Sequence, residues 1–360
     1  MRRIIDRANH YVSLFDESSG FYMRSGVFRD GKETGEDPFM AGFPELLDVG
    51  IMGHCAHGLS GLCRETGVRC YQDGWNVRQA NMGLDDFRLV AEQCGGRVYQ
   101  FALGGRGDPD QHEEFEDILR TCRERHIVPN FTSSGLGFDR RTVELCREFC
   151  GAVAVSWYGQ PYTRKAIDML LGAGVKTNIH YVLSRRSVKE AKDFLEDKVP
   201  AGINAVIFLL HKPVGLGKRE DIIPWNDPCL QELFRCVDNE RFSCKIGFDS
   251  CSVPGLLHSM KHVELASLDT CEAARWSAYV TPDMKLLPCS FDNQEENWAV
   301  DLRTHTIAEA WNSPEFADFR RRFLTSCPDC AWQKRCMGGC PICPDIVLCK
   351  DRSDHVSGNR

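Results

Sequence analysis

From residue 45 onward the chain alternates between two periodicities. Short continuous apolar runs at 45–51, 98–103, 127–132, 152–157, 175–183 and 203–210 each end in glycine or polar residues, the pattern of parallel strands covered on both faces. Between them, 84–94, 112–125, 140–150, 162–171 and 188–198 repeat apolar positions at helical spacing. Six such units predict an α/β chain folded as a partial (β/α)6 TIM-like barrel, whose functional groups collect at the C-terminal ends of the strands. A doubly wound open sheet is the competing architecture. The strand ends carry Cys55, Gly104-Gly105-Arg106-Gly107-Asp108-Pro109, Thr132-Ser133-Ser134, Ser156, Asn178 with His180, and His211-Lys212 before Gly215-Leu216-Gly217. Polar residues recur at one end of every strand, so one rim is expected to be a binding face.

The flanks differ. Residues 1–45 are polar and rich in Gly, Asp and Phe, with one short strand expected at 21–24, and read as a lead-in to the barrel of 46–226. Pro213, Gly215, Gly217, Pro224 and Trp225 mark a break, followed by a bridging region (227–270) with a helix at 228–237 and a strand at 244–248. Residues 271–360 form a different kind of segment. A hairpin is expected around Thr281-Pro282-Asp283, then helices at 307–311 and 314–324, crowded cysteines, and a polar tail after Lys350.

Composition adds two constraints. A net charge of −7 over 360 residues points away from a nucleic-acid surface. No apolar run exceeds 205–210 by enough to cross a membrane, and the first residues lack the apolar core of a signal peptide. A cytoplasmic protein is expected, and there the 19 cysteines need an explanation other than disulfides. Metal or iron–sulfur ligation is the leading one. Cys94, Cys122, Cys146, Cys150, Cys229 and Cys236 lie in helix-like segments and read as small buried side chains.

The remaining cysteines form two sets. Cys55, Cys63 and Cys70 share a glycine-punctuated loop after the first barrel strand, and three such thiols can hold three irons of a four-iron cluster, leaving the fourth open. Gly58, Gly61 and Gly67 allow that loop to fold back. The second set is Cys271, Cys289, Cys327, Cys330, Cys336, Cys340, Cys343 and Cys349. Its Cys-x2-Cys spacing suits zinc and iron–sulfur sites alike, and spacing does not separate them.

The order Cys271…Cys289…Cys327-x2-Cys330-x5-Cys336-x3-Cys340…Cys349 resembles the seven-cysteine signature of the SPASM domain of radical S-adenosylmethionine enzymes, and 46–226 resembles their partial barrel. The resemblance implies one four-iron cluster at Cys55, Cys63 and Cys70 that binds S-adenosylmethionine. It also implies two auxiliary clusters: Cys271, Cys289 and Cys340 for the first, with Cys251 as candidate fourth ligand, and Cys327, Cys330, Cys336 and Cys349 for the second. Cys343 competes with Cys349. Gly104, Gly105 and Asp108 stand where the family carries a Gly-Gly-Glu-Pro-like motif for the cofactor's amino group. Ser133, Ser134, Ser156, Asn178 and His180 match polar strand-end positions lining the cofactor, and Gly215 and Gly217 match the turn near the adenine. A strand cap is the plain reading of each serine, and a satisfied core histidine that of His180. Two features depart from the family. The loop spacing is Cys-x7-Cys-x6-Cys rather than Cys-x3-Cys-x2-Cys, and Met284 stands where the SPASM signature has glycine.

In such enzymes one electron cleaves the cofactor to a 5′-deoxyadenosyl radical, which abstracts hydrogen from substrate. A general base near the auxiliary site is expected, with Asp249, Asp283 and Asp292 as candidates beside the plainer reading of solvated turn carboxylates. The resemblance implies an oxidoreductase acting on a peptide substrate, in maturation of a ribosomally synthesised peptide by cross-linking or side-chain oxidation. The electron donor would be a reduced flavodoxin or a ferredoxin-type protein. An anaerobic sulfatase-maturating type, chemistry on a small molecule, and a non-catalytic electron-transfer protein are the alternatives. The sulfatase-maturating relatives carry Asp directly after the second SPASM cysteine, where this chain has Ser290.

Overall fold

The computed structural model describes residues 1–34, 38–62, 67, 69–324 and 330–349. Cys63 and Cys327 lie outside the described residues.

The architecture is α/β, centred on a large, mostly parallel sheet. Strands β6 (Leu46–Met52), β7 (Gln100–Gly105), β8 (Val128–Ser133), β9 (Val153–Ser156), β10 (Thr177–Leu183) and β11 (Ala205–Leu210) pair in parallel in sequence order. Helices α2 (Leu84–Cys94), α3 (Phe115–Glu124), α4 (Arg140–Phe149), α5 (Pro161–Gly172) and α6 (Val188–Asp193) alternate with them; α1 (Ala56–Ser60) lies in the loop after β6. Leu47, Val49 and Ile51 on β6, and Phe101 and Leu103 on β7, are buried in the main core with Phe87, Val90 and Ala91 of α2. Each strand's alternate residues then line the other face, the concave interior.

Two additions lengthen the sheet. After α7 (Pro228–Asn239), β12 (Lys245–Phe248) pairs in parallel with β11 and adds a strand beyond the six. At the opposite edge β13 (Ser277–Val280) pairs in parallel with β6, and the hairpin to β14 (Lys285–Leu287) and on to β15 (Val300–Asp301) continues the same ten-stranded sheet. The cysteine-rich segment is thereby hydrogen-bonded to the strand that leads into the Cys55 loop. Helices α8 (Val253–Ser259), α9 (Ile307–Trp311), α10 (Pro314–Arg321) and α11 (Gln333–Cys336) complete this end.

The first 25 residues are more ordered than the one strand expected there. Strands β1 (Arg2–Asp6), β2 (Tyr11–Asp16) and β3 (Phe21–Ser25) form a separate antiparallel sheet; β4 (Phe28–Arg29) and β5 (Lys32–Glu33) make a small ladder. Tyr11 (2.8 Å), Ser13 (2.6 Å) and Tyr22 all donate to the Glu45 carboxylate just before β6, so this sheet packs under the N-terminal end of the barrel. Among the described residues no helix is long and apolar enough to cross a membrane.

Candidate functional site: two sets of thiols on one sheet

After β6 the chain enters a long loop. Cys55 precedes α1, and its Sγ accepts the Gly58 N–H at 3.2 Å. The chain returns through Cys70 and turns at Gly74, where a Cβ would lie 3.0 Å from Cys55 Cβ, 3.6 Å from Cys55 Sγ and 3.8 Å from Cys70 Sγ. Two thiols separated by fourteen residues thus face one small space that glycine keeps open. Burial pushes Cys55 up to about 11 and raises Cys70 as well. A thiol becomes a metal ligand only as thiolate, so a buried thiol set fits a bound cation that offsets the charge.

The return of the loop is fastened by two elements. Arg106, inside the Gly-Gly-Arg-Gly-Asp-Pro stretch, is buried and donates from Nε to Gln72 O (2.7 Å) and from Nη1 to Gln79 Oε1 (2.9 Å). Gly215, with φ 60°, presses its backbone onto the loop: Leu216 N–H donates to Cys70 O at 2.9 Å, and a Cβ on Gly215 would lie 2.4 Å from Tyr71 O. Gly217 approaches Lys212 O with the same closeness, 2.3 Å from an added Cβ.

The other strand-end residues occupy the same rim or the interior face. Gly104 and Gly105 end β7. Asp108 accepts from Ser134 N–H at 2.8 Å and from the Ser134 hydroxyl, and burial raises its carboxyl. Ser133 Oγ accepts from Gly135 N–H at 3.0 Å, a local turn bond. Ser156 ends β9, level with His180 of β10. His180 Nδ1 lies 3.3 Å from the Thr132 hydroxyl, and burial lowers it to about 4, so the ring is neutral near pH 7. Asn178, one step below on the same face, accepts from Asn204 Nδ2 at 2.7 Å.

The C-terminal thiols separate into two places. The Cys251 and Cys340 thiols lie side by side, the Cys340 Sγ accepts the Cys343 N–H at 3.3 Å, and Cys271 and Cys289 lie within electrostatic reach of Cys251. Burial pushes Cys271 and Cys289 up. Cys330, Cys336 and Cys349 instead line one small pocket with His258, whose Nε2 is 3.5 Å from Cys349 Sγ. The structure thus sets Cys343 beside the first group and Cys349 in the second. No disulfide is formed by the cysteines of the described residues. These donor sets are thiol-rich and largely enclosed, the chemistry that iron–sulfur clusters require.

The three carboxylates expected near this end are all engaged. Asp249 pairs with the buried Lys212 and also accepts from Leu210 N–H (3.0 Å) and the Ser252 hydroxyl (2.7 Å). Asp292 is buried and accepts from Trp298 N–H (3.2 Å) and Asn297. Asp283 sits on the hairpin turn in an ion pair with Lys285 at 3.1 Å.

Three features were not singled out in the sequence. Lys212 lies over the Phe291 ring at 4.6 Å and within reach of Cys251 and Cys340. Phe291 in turn packs on Tyr71 with ring centroids 4.5 Å apart, and Asn293 donates to the Gln72 side chain, so the two thiol regions touch. Asp48 is the third: a carboxyl in the middle of β6, on the interior face. It was visible as the one charged residue inside the apolar run 46–51.

Comparison with known proteins accords with this arrangement. Residues 271–337 match the SPASM family, an iron-sulfur cluster-binding domain. No curated protein matches the chain in sequence. Among solved structures, Streptococcus suis SuiB bound to S-adenosylmethionine is similar at 16% identity and a TM-score of 0.65, covering 86% of this chain and 78% of SuiB. SuiB bound to the precursor peptide SuiA gives 16% and 0.65 over 90% of this chain and 84% of that one. Native anSMEcpe with bound AdoMet and the Cp18Cys peptide gives 16% and 0.58 over 84% and 90%. The chain therefore carries a SPASM iron–sulfur cluster-binding domain on a barrel of the fold these proteins share.

Proposed function

We propose that this protein is a radical S-adenosylmethionine enzyme that modifies a peptide, in the maturation of a ribosomally synthesised precursor by cross-linking or side-chain oxidation. One observation carries the reading. The Cys55–Cys70 thiol pair and the Cys251–Cys271–Cys289–Cys340 group flank one barrel interior and are joined through the Tyr71–Phe291 contact. The likeness in fold to SuiB with its precursor peptide and to anSMEcpe with a bound peptide supports a peptide rather than a free small molecule.

In this reading Cys55, Cys63 and Cys70 hold the cluster that binds S-adenosylmethionine, whose reductive cleavage supplies the hydrogen-abstracting radical. Gly104, Gly105 and Asp108 face the cofactor's amino group, and Ser133, Ser134, Ser156, Asn178 and His180 line its remainder. Cys271, Cys289, Cys340 and Cys251 hold the first auxiliary cluster; Cys327, Cys330, Cys336 and Cys349 hold the second. Arg106 and Gly215 fasten the return of the loop, so that Cys55 and Cys70 would be held in place to ligate such a cluster. A reduced flavodoxin or ferredoxin-type donor supplies the electron.

The test is anaerobic reconstitution followed by reduction with S-adenosylmethionine present. The protein is expected to hold about twelve irons in three four-iron clusters and to release 5′-deoxyadenosine. A Cys55→Ala/Cys63→Ala/Cys70→Ala variant is expected to lose about four irons and all 5′-deoxyadenosine formation. A full iron load without any cofactor cleavage would leave only the electron-transfer reading, and zinc in place of iron would remove both.

A further inference from the structure

Asp48 stands out among the interior residues because no side chain or backbone group among the described residues binds its carboxyl. Its neighbours Leu47 and Val49 are fully buried against the helices, so Asp48 faces the concave side of β6. It is in register with Ala102 of β7 and Tyr279 of β13. The Tyr279 side chain crosses the same face, since a Cβ on Gly50 would lie 2.4 Å from its hydroxyl oxygen. Tyr71, next to Cys70, and Cys289 both lie within electrostatic reach of Asp48, which places it between the two thiol regions. No donor among the described residues hydrogen-bonds the Asp48 carboxyl.

Asp48 is partly exposed on that face. Burial raises its carboxyl to about 7. The nearby cations are committed elsewhere. Arg24 lies over Trp276 at 3.8 Å and pairs with Asp269. Arg275 donates to Phe39 O (2.7 Å) and Cys271 O (2.9 Å), Lys212 pairs with Asp249, and Arg106 holds the loop. An inward-turned carboxylate without a partner is costly unless it is protonated or meets a cation, and it attracts the opposite charge and repels its own.

Building on the peptide reading above, we propose that Asp48 is a specificity-determining residue that binds a cationic side chain, an ammonium or guanidinium, which the substrate inserts into the barrel. Charge-assisted N–H···O bonds to Asp48 would anchor that side chain and present neighbouring C–H bonds to the space between the two thiol regions.

The probes are acetylated, amidated alanine pentapeptides carrying lysine, norleucine or glutamate at the centre, together with n-butylammonium. Binding is measured by anaerobic titration calorimetry on the reconstituted holoenzyme with S-adenosylmethionine bound. The lysine probe is expected to bind about tenfold more tightly than the norleucine probe, the scale of one charge-assisted pair, and the glutamate probe more weakly than either. Asp48→Asn, with iron content and circular dichroism as controls, should bring the lysine and norleucine probes within about twofold, while Asp48→Glu keeps part of the preference. Affinity for S-adenosylmethionine should be unchanged in both variants. Should Asp48→Asn fail to fold, the charge preference of the wild-type protein and its partial retention in Asp48→Glu carry the test. Equal binding of the three probes by wild-type protein, a preference that survives Asp48→Asn, or weakened S-adenosylmethionine binding in its place would overturn the assignment and leave the peptide reading standing. Asp48-dependent binding of n-butylammonium with no pentapeptide bound would instead uphold Asp48 and remove the peptide reading.

Discussion

Met284 occupies the tip of the β13–β14 hairpin with φ 68°, a left-handed conformation, while its side chain is almost wholly buried. The SPASM signature has glycine at this position, the residue that adopts such a conformation without strain. Met284→Gly would relieve about 1–2 kcal/mol of backbone strain but remove a core side chain worth roughly 2–5 kcal/mol. The variant is expected to be less stable than wild type, read as a lower denaturant midpoint with unchanged slope. Asp48 sets a second residue-level expectation. Its carboxyl sits above the usual carboxylate range in the folded state, so the folded protein binds the extra proton and stability falls as pH rises from about 4 to 7. Asp48 is partly exposed, so solvent screening reduces the effect to about 2 kcal/mol, and Asp48→Asn should remove that part of the slope in pH-dependent unfolding. Both residues could be picked out in the sequence as exceptions, a methionine in place of glycine and a charge in an apolar run. Their consequences could not, because backbone conformation and the absence of a hydrogen-bond donor are set by distant strands.

At the scale of elements, the six barrel strands and five intervening helices were legible to within a few residues, because each carries its own periodicity and ends in glycine or a polar residue. The β1–β3 sheet was less so. Its strands alternate more and less buried positions, as β2 shows with Tyr11, Ser13 and Phe15 inward, but the inward set includes a serine and a tyrosine that donate to Glu45 and so does not read as an apolar face. The Cys55–Cys70 loop was legible in its chemistry and not in its path. Its spacing leaves open whether the thiols converge; what brings them together is close backbone contact at Gly74 and Gly215, made by residues far apart in the chain. Gly215→Ala puts a methyl group 2.4 Å from Tyr71 O at a backbone angle that disfavours alanine. The loop must move to accommodate it. Iron analysis should show the variant losing about four irons from the loop while the C-terminal domain keeps the rest, with the helical circular dichroism retained. Loss of irons from both regions in proportion would show instead that Gly215 supports the whole fold.

At the scale of the whole molecule, the pairing of β13 with β6 decides the arrangement, because it seats the cysteine-rich segment beside the strand that feeds the Cys55 loop. These two strands lie more than two hundred residues apart in the chain, and nothing in local periodicity encodes their contact. The sequence could therefore sort the C-terminal cysteines by motif and offer Cys251 as a further ligand of the first group, but could not place Cys343 or Lys212 among them. Lys212 joins the parts physically: it leaves the end of β11, pairs with Asp249 after β12, and lies over Phe291 beside the auxiliary thiols. Its side chain is 4% exposed and that of Asp249 15%, so the pair is removed from bulk water. Breaking one side of such a pair leaves an uncompensated charge, whereas replacing both partners by apolar groups often costs little. Lys212→Met is expected to destabilise the protein by about 3–5 kcal/mol, and the Lys212→Met/Asp249→Leu double variant to recover most of that loss. The measurement is a double-mutant cycle by anaerobic denaturant unfolding, run on protein matched for iron content so that cluster loss is not counted as lost stability. Additive losses in the double variant would mean that Lys212 acts through Phe291 and the thiols rather than through Asp249.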